Sequence, residues 1–288
     1  MSKRIFISIF KSLRPKQWIK NFFVFAAILF SQNLYNIFMV KRVVAIFIIF
    51  CFLCSGTYLI NDVIDKEKDR VHPKKKRRPI ASGDIPIWMA VSLAVLLLTF
   101  SLTVSFKFGF YIGLISSIYF IQALLYSVYF KKIVIIDALF IAFGFVLRVA
   151  VGGAVINVAV SIWLLICIIL LALFLALCKR RHEINLLNQN ASQHRSILDH
   201  YSIELLDQMI SVVTSSTLVV YLLYTFLSAR NDNLMFTIPF VLYGIFRYLY
   251  LVYVKNEGGE PEDTVIKDKP MIINISLWVL AVYIILYI

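Results

Sequence analysis

A chain of 288 residues that is 61% hydrophobic, with a mean hydropathy of +0.85, carries more apolar surface than a water-facing exterior can hide. An ordinary soluble enzyme is excluded, and one membrane-embedded domain over residues 1–288 is expected. The formal net charge of +13 would suggest nucleic acid in a soluble protein. Here the bases sit in short segments between apolar runs, so they face the cytoplasm and no nucleic-acid partner is expected.

The first twenty residues hold Lys3, Arg4, Lys11, Arg14, Lys16 and Lys20 ahead of the first long apolar run. No small-residue cleavage site follows that run, so it is expected to remain as a span. Spans are predicted at about 21–38, 43–60, 86–106, 109–129, 134–154, 158–178, 208–228, 234–254 and 271–287. Lipid offers the backbone no hydrogen-bond partners, so each should be helical, giving an all-α polytopic bundle of about nine transmembrane helices. Within the second span, Cys51 and Cys54 form a C-x-x-C with no second ligand pair at suitable spacing, and read as packing thiols. Asp84, ahead of Pro86, reads as the N-cap of the third span. The bases of the N-terminal arm and of loops 61–85 and 179–207 fall on one side, with Lys131, Lys132 and loop 255–270. This places the N-terminus in the cytoplasm and the C-terminus outside, in the cell inner (plasma) membrane.

The strongest chemical signal is Asn61-Asp62-Val-Ile-Asp65-Lys-Glu-Lys-Asp69-Arg70. Asp62, Asp65 and Asp69 share one face of a continuing helix, and three converging carboxylates need a cation between them. Hard oxygen ligands with open coordination suit Mg²⁺, which keeps substrate phosphate oxygens in its shell. A solvated helix end, with Lys66, Lys68 and Arg70 pairing the acids, is the plainer alternative. Lys74, Lys75, Lys76, Arg77 and Arg78 follow at once. Bases beside acids suit a metal-bound polyanion, with Lys and Arg taking the remaining phosphate oxygens. They also serve as topogenic charge.

The run N-D-x-x-D-x-x-x-D, followed by R-x-H-P and R-P-x-A-S-G, resembles the first aspartate motif of the UbiA superfamily of intramembrane prenyltransferases. Leu13-Arg14-Pro15-Lys16-Gln17-Trp18-Ile19-Lys20-Asn21 is similar to the opening of one branch, the decaprenyl-phosphate phosphoribosyltransferases. So are the stretches at 126–131, 144–153, 246–248 and 257–262, with Asp137 and Asp268. The resemblance covers essentially the whole chain and implies a nine-helix bundle with cytoplasmic aspartates as Mg²⁺ ligands. It departs at Cys178-Lys179-Arg180-Arg181-His182-Glu183-Ile184-Asn185. The usual second acidic motif is D-x-x-x-D, and here Glu183 is the one acid among three bases. A basic pocket for phosphate is the more natural reading than a second metal site.

Single residues keep two readings. Arg148, inside an apolar span, faces either a polar cavity or the membrane edge. Asp137, three helical turns before it, is a site residue, a cap or a partner for Lys131 or Lys132. Lys16, Lys20 and Asn21 at the mouth of the first span are phosphate contacts or topogenic, and Trp18 an interfacial anchor. Lys179 and Arg180 are placed likewise. His182, His194 and His200 make no ligand pattern, and His72, ahead of Pro73, is a loop hydrogen-bonder or a general base. The expected site comprises Asp62, Asp65 and Asp69 as catalytic metal ligands. Substrate would be bound by Lys16, Lys20, Asn21, Asn61, Arg70, Lys74, Arg77, Arg78, Arg148, Lys179, Arg180 and Glu183.

The preferred function is transfer of 5-phosphoribose from 5-phosphoribosyl 1-diphosphate to a polyprenyl phosphate, with release of diphosphate. A second reading is transfer of an isoprenoid from its diphosphate to an aromatic acceptor. A third, of another class, is a transporter or lipid-binding protein without chemistry. The lipid bilayer is a partner in all three, and an oligomer is compatible with the sequence.

Overall fold

The computed structural model describes residues 3–71, 75–187, 198, 200–228 and 232–288. Among these there is no strand, as expected for a chain whose backbone must satisfy itself inside lipid. The α-helices run α1 Lys3–Ser12, α2 Ala26–Phe30, α3 Ile37–Ile64, α4 Lys66–Val71, α5 Pro79–Ser82, α6 Ile87–Phe108 and α7 Phe110–Val128. They continue as α8 Ile136–Val155, α9 Ile162–Leu187, α10 Ile203–Leu223, α11 Ile238–Tyr253, α12 Pro261–Lys267 and α13 Lys269–Tyr287. Eight helices among the described residues are long and apolar enough to cross a membrane. They correspond to eight of the nine predicted spans, so the chain is a multi-pass membrane protein.

The first predicted span, 21–38, takes another form. Pro15 starts a 3-10 helix, Pro15–Phe25, which passes into the five-residue α2, and the chain breaks before Asn36 caps α3. A 3-10 helix rises about 2 Å per residue, so this segment and α2 laid end to end reach roughly 30 Å with few residues. Such a long 3-10 run needs tertiary support, and Gly152 of α8 supplies some. A Cβ at Gly152 would lie 2.0 Å from the carbonyl oxygen of Val24. Asp84 is not the cap of α6: the helix starts after Pro86 without a side-chain cap, and the Asp84 carboxylate accepts from the Ser82 hydroxyl at 2.8 Å.

The chain forms two compact units. The first comprises Met1–Ile28, Leu34–Ile133 and Leu147–Val158. In it the 28-residue α3 packs on α6, and the turn from α5 joins them through Leu59, Ile80, Ile85, Ala90 and Ala94. Gly83 closes α5 with φ +86°, a conformation open to glycine. At the other end of α3, Arg42 donates to the carbonyls of Val155 at 2.8 Å and Phe108 at 3.4 Å. A cation thus satisfies orphan carbonyls at the ends of α8 and α6.

The second unit comprises Leu29–Asn33, Val134–Val146 and Ala159–Ile288. Its core gathers Phe174, Leu177, Cys178, Leu206, Ile210, Ile245, Tyr248 and Leu251. Into this apolar packing the fold places a whole guanidinium: Arg180 is 1% exposed and donates to Asp137 at 2.7 Å and to Glu183. Tyr201 also donates to Asp137, at 3.2 Å, and its hydroxyl accepts from the backbone of Ile135 at 2.6 Å. Burial and the adjoining Asp137 push the Tyr201 phenol up to about 12, so it stays a donor at neutral pH.

Two substitutions test this architecture by thermal unfolding in detergent. Gly152→Ala should lose about 1–3 kcal/mol, since a backbone carbonyl must move to admit the methyl group. Arg180→Ala should lose about 3–5 kcal/mol, because Asp137 is then buried without its cation. Arg180→Met combined with Asp137→Asn should recover most of that loss. A double variant as unstable as Arg180→Ala would argue against this account of the pair.

Candidate active site

The aspartate motif sits where α3 leaves its apolar stretch. Asp65 caps α3 with backbone angles of −92° and 6°, and α4 restarts at Lys66, carried by a bond from the Asp69 amide to the Asp65 carbonyl at 2.8 Å. The three aspartates therefore keep nearly helical spacing, but they do not share one partner. Asp62 and Asp69 turn inward and are buried, while Asp65 is half-buried and binds Lys131 at 2.6 Å. Lys131 is thus a partner of Asp65.

Asp62 and Asp69 converge on a single atom. Arg78 Nη1 donates to Asp62 Oδ1 at 3.1 Å and to Asp69 Oδ2 at 2.5 Å. Arg14 Nη2 donates to the same Asp62 Oδ1, and its guanidinium lies over the Tyr58 ring, 5.1 Å from the centroid. Three carboxylates therefore meet three cations in direct ion pairs. Burial pushes the Asp69 carboxyl above the ordinary aspartate range, outweighing the pull of Arg78 and Lys75.

Local sequence explains how the arginines arrive. Arg14 adopts the left-handed conformation, φ 52° and ψ 58°, just ahead of Pro15. Ser55 of α3 locks this turn: its hydroxyl donates to the Leu13 carbonyl at 2.8 Å and accepts from the Trp18 indole at 3.1 Å. Trp18 therefore anchors to α3. Arg78 is extended, φ −69° and ψ 139°, as the residue before a proline must be, and Pro79 opens α5.

Of the other expected site residues, Asn61 lies half-buried beside Asp62, and Arg77 is exposed. Arg70 is exposed, pairs with Glu67 at 3.0 Å and donates to the Ala81 carbonyl at 3.3 Å. Lys16 is exposed, and Lys20 and Lys179 are half-buried. Lys74 and His72 lie outside the described residues, as does His194. Asn21 is fully buried and accepts from Arg148 Nε at 2.8 Å. Arg148 also donates to Tyr119 at 2.8 Å, with the ring centroid at 4.9 Å. These two form a polar knot within the first unit rather than an open phosphate contact. Arg180 and Glu183 are bound to each other in the second unit, with Asp137. His182 packs its ring against Gly259, whose Cβ would lie 2.7 Å from it.

Sequence reading missed Arg14 and Lys131 as members of the site. The signal for Arg14 was present in the R-P-x-Q-W-x-K-N stretch. For Lys131, 66 residues from Asp65, the signal was the 126–131 stretch, which did not say which acid it would meet. Among the described residues, no three of His, Cys, Asp and Glu are assembled as a ligand group. The donor set nonetheless suits a hard cation at one point. Two buried carboxylates already converge on one positively charged nitrogen, and oxygen donors of this kind suit Mg²⁺.

The UbiA prenyltransferase family model matches residues 21–262. A decaprenyl-phosphate phosphoribosyltransferase of Mycolicibacterium smegmatis is 31% identical over 96% of this chain and 92% of its own length. Another, of Corynebacterium glutamicum, is 32% identical over 96% of this chain and 86% of its own. A UbiA homologue from Archaeoglobus fulgidus, solved with GPP and Mg²⁺, superposes with a TM-score of 0.75 at 17% identity. The superposition covers 97% of this chain and 99% of that one, a likeness of fold. With its membrane helices, its N-D-x-x-D-x-x-x-D junction and these matches, the chain belongs to the UbiA prenyltransferase family.

Proposed function

We propose that this protein moves 5-phosphoribose from 5-phosphoribosyl 1-diphosphate to a polyprenyl phosphate and releases diphosphate. The observation that carries this is the likeness, along nearly the whole chain, to decaprenyl-phosphate phosphoribosyltransferases. The site supports it: buried carboxylates are ringed by guanidinium and ammonium groups suited to phosphate oxygens. Family membership makes the chain a transferase rather than a transporter or passive lipid binder. One domain in the inner membrane, with the junction on the cytoplasmic side, is the topology that the positive loops favour.

Asp62 and Asp69 would hold Mg²⁺, with Asp65 alongside, and the ion would withdraw charge from the departing diphosphate. Arg14, Arg78 and Lys131 orient and neutralise phosphate oxygens around it, an electrostatic and positioning role. The bond from C1 to the diphosphate oxygen breaks as a lipid phosphate oxygen bonds to C1 from the opposite face. That nucleophile is already ionised at neutral pH, so no side chain need take a proton. The polyprenyl tail lies in the bilayer, which the many exposed apolar side chains of α6 and α7 show to be the surrounding medium.

Purified protein given Mg²⁺, labelled phosphoribosyl diphosphate and a polyprenyl phosphate should place label in the organic phase. EDTA should abolish transfer, and Asp62→Asn should reduce it by about 10²–10³-fold, the usual cost of one preorganised charge-stabilising group. Folded protein that leaves the label in water, yet consumes an allylic diphosphate with an aromatic acid, would overturn this reading in favour of prenyl transfer.

A further inference from the structure

The junction is layered by charge. The Asp62 and Asp69 side chains are 3% and 5% exposed, while those of Arg14 and Arg78 are 19% and 26% exposed. The acids stand on α3 and α4. The cations stand on the turn before Pro15 and the extended residue before Pro79. A ligand arriving from water meets guanidinium first and carboxylate second. Arg78 Nη1 also occupies the point where the two carboxylates converge.

We infer that Arg14 and Arg78 are exchangeable counter-ions of Asp62 and Asp69, released to the donor's diphosphate when a divalent cation takes the carboxylates. This rests on the metal–diphosphate reading above. The reason is charge balance in a partly buried place. Asp62, Asp65 and Asp69 are already held in direct pairs with Arg14, Arg78 and Lys131. A divalent cation entering alone must displace guanidinium and leave those cations without anions. A diphosphate entering alone finds the guanidiniums engaged and brings uncompensated negative charge onto buried aspartates. Entering together, the two supply each other's balance: the cation takes the carboxylates and the phosphate oxygens take the arginines. Cation and diphosphate are thereby made mutually dependent, and the link is reciprocal. The arginines are positioning residues in the resting site and substrate ligands in the loaded one. Nothing beyond ion-pair exchange is required, and no covalent bond is altered.

The signature is a pair of opposite effects from one substitution. Mn²⁺ binding to the full-length protein in detergent can be followed by electron paramagnetic resonance, without turnover. Pyrophosphate binding at saturating Mn²⁺ can be followed by calorimetry. Arg78→Met should tighten Mn²⁺ binding in the absence of pyrophosphate by roughly tenfold, the worth of one charge-assisted hydrogen bond. It should weaken pyrophosphate binding at saturating Mn²⁺ by a similar factor. Arg14→Met should do the same through Asp62 alone. Lys68→Met removes an equal charge from an exposed position on α4, and should change neither by more than about twofold, because surface charge is well screened. Should the methionine variants not fold, Arg78→Lys keeps the charge without the fork and should show both effects in smaller measure.

Arginine variants that bind Mn²⁺ no better than wild type, while Asp62→Asn abolishes its binding, would overturn the exchange and leave the metal site standing. Mn²⁺ binding that survives both Asp62→Asn and Asp69→Asn would instead overturn the metal reading, and the exchange with it.

Discussion

A carboxylate taken out of water must be matched by a cation, and the junction of α3 and α4 is arranged around that requirement. Asp62 and Asp69 are buried where the longest membrane helix ends. Neither is tolerable there alone. Arg78 serves both, and Arg14 and Lys131 complete the set from 48 and 66 residues away in sequence. The two arginine-bearing turns are thereby tied to one helix end. Ser55 adds a neutral tie by accepting from Trp18 and donating to Leu13. The site's charge and the fold's connectivity are one arrangement.

Away from the site, guanidinium groups also satisfy buried acceptors, charged or neutral. Arg42 closes the ends of α6 and α8, Arg180 neutralises Asp137 and Glu183, and Arg148 sits among Asn21, Tyr119 and Cys54. In each case a guanidinium, with several donors in a fixed plane, satisfies more than one acceptor at once. A lysine could not take over these places unchanged. The chain's basic character is thus partly topogenic and partly internal, and the internal part is mostly arginine.

Much of this was legible in the sequence. Apolar runs of sufficient length must be helices in lipid, so eight spans could be placed, although α9 runs on to Leu187 where an end at 178 was expected and α3 starts at Ile37 where 43 was expected. The first could not, because hydropathy does not distinguish α from 3-10 winding. The close approach of Gly152 to Val24 is a tertiary fact with no local trace. In the site, the spacing of Asp62, Asp65 and Asp69 announced an acidic cluster, and Arg78 beside it was expected. Their division was hidden: Asp65 toward Lys131, the other two toward arginines. It depends on which distant turns the fold brings near. Arg180 and Glu183 illustrate the limit. A basic stretch at a helix end reads as a phosphate site, yet Arg180 points into the core because Asp137, 43 residues earlier, is waiting there.

The most direct test of the account is a structure of the protein with phosphoribosyl diphosphate and Mn²⁺, the ion located by its anomalous scattering. Mn²⁺ is expected between Asp62 and Asp69, with Arg14 and Arg78 turned onto diphosphate oxygens. Mn²⁺ at another place, with both arginines still on the two aspartates, would contradict that arrangement.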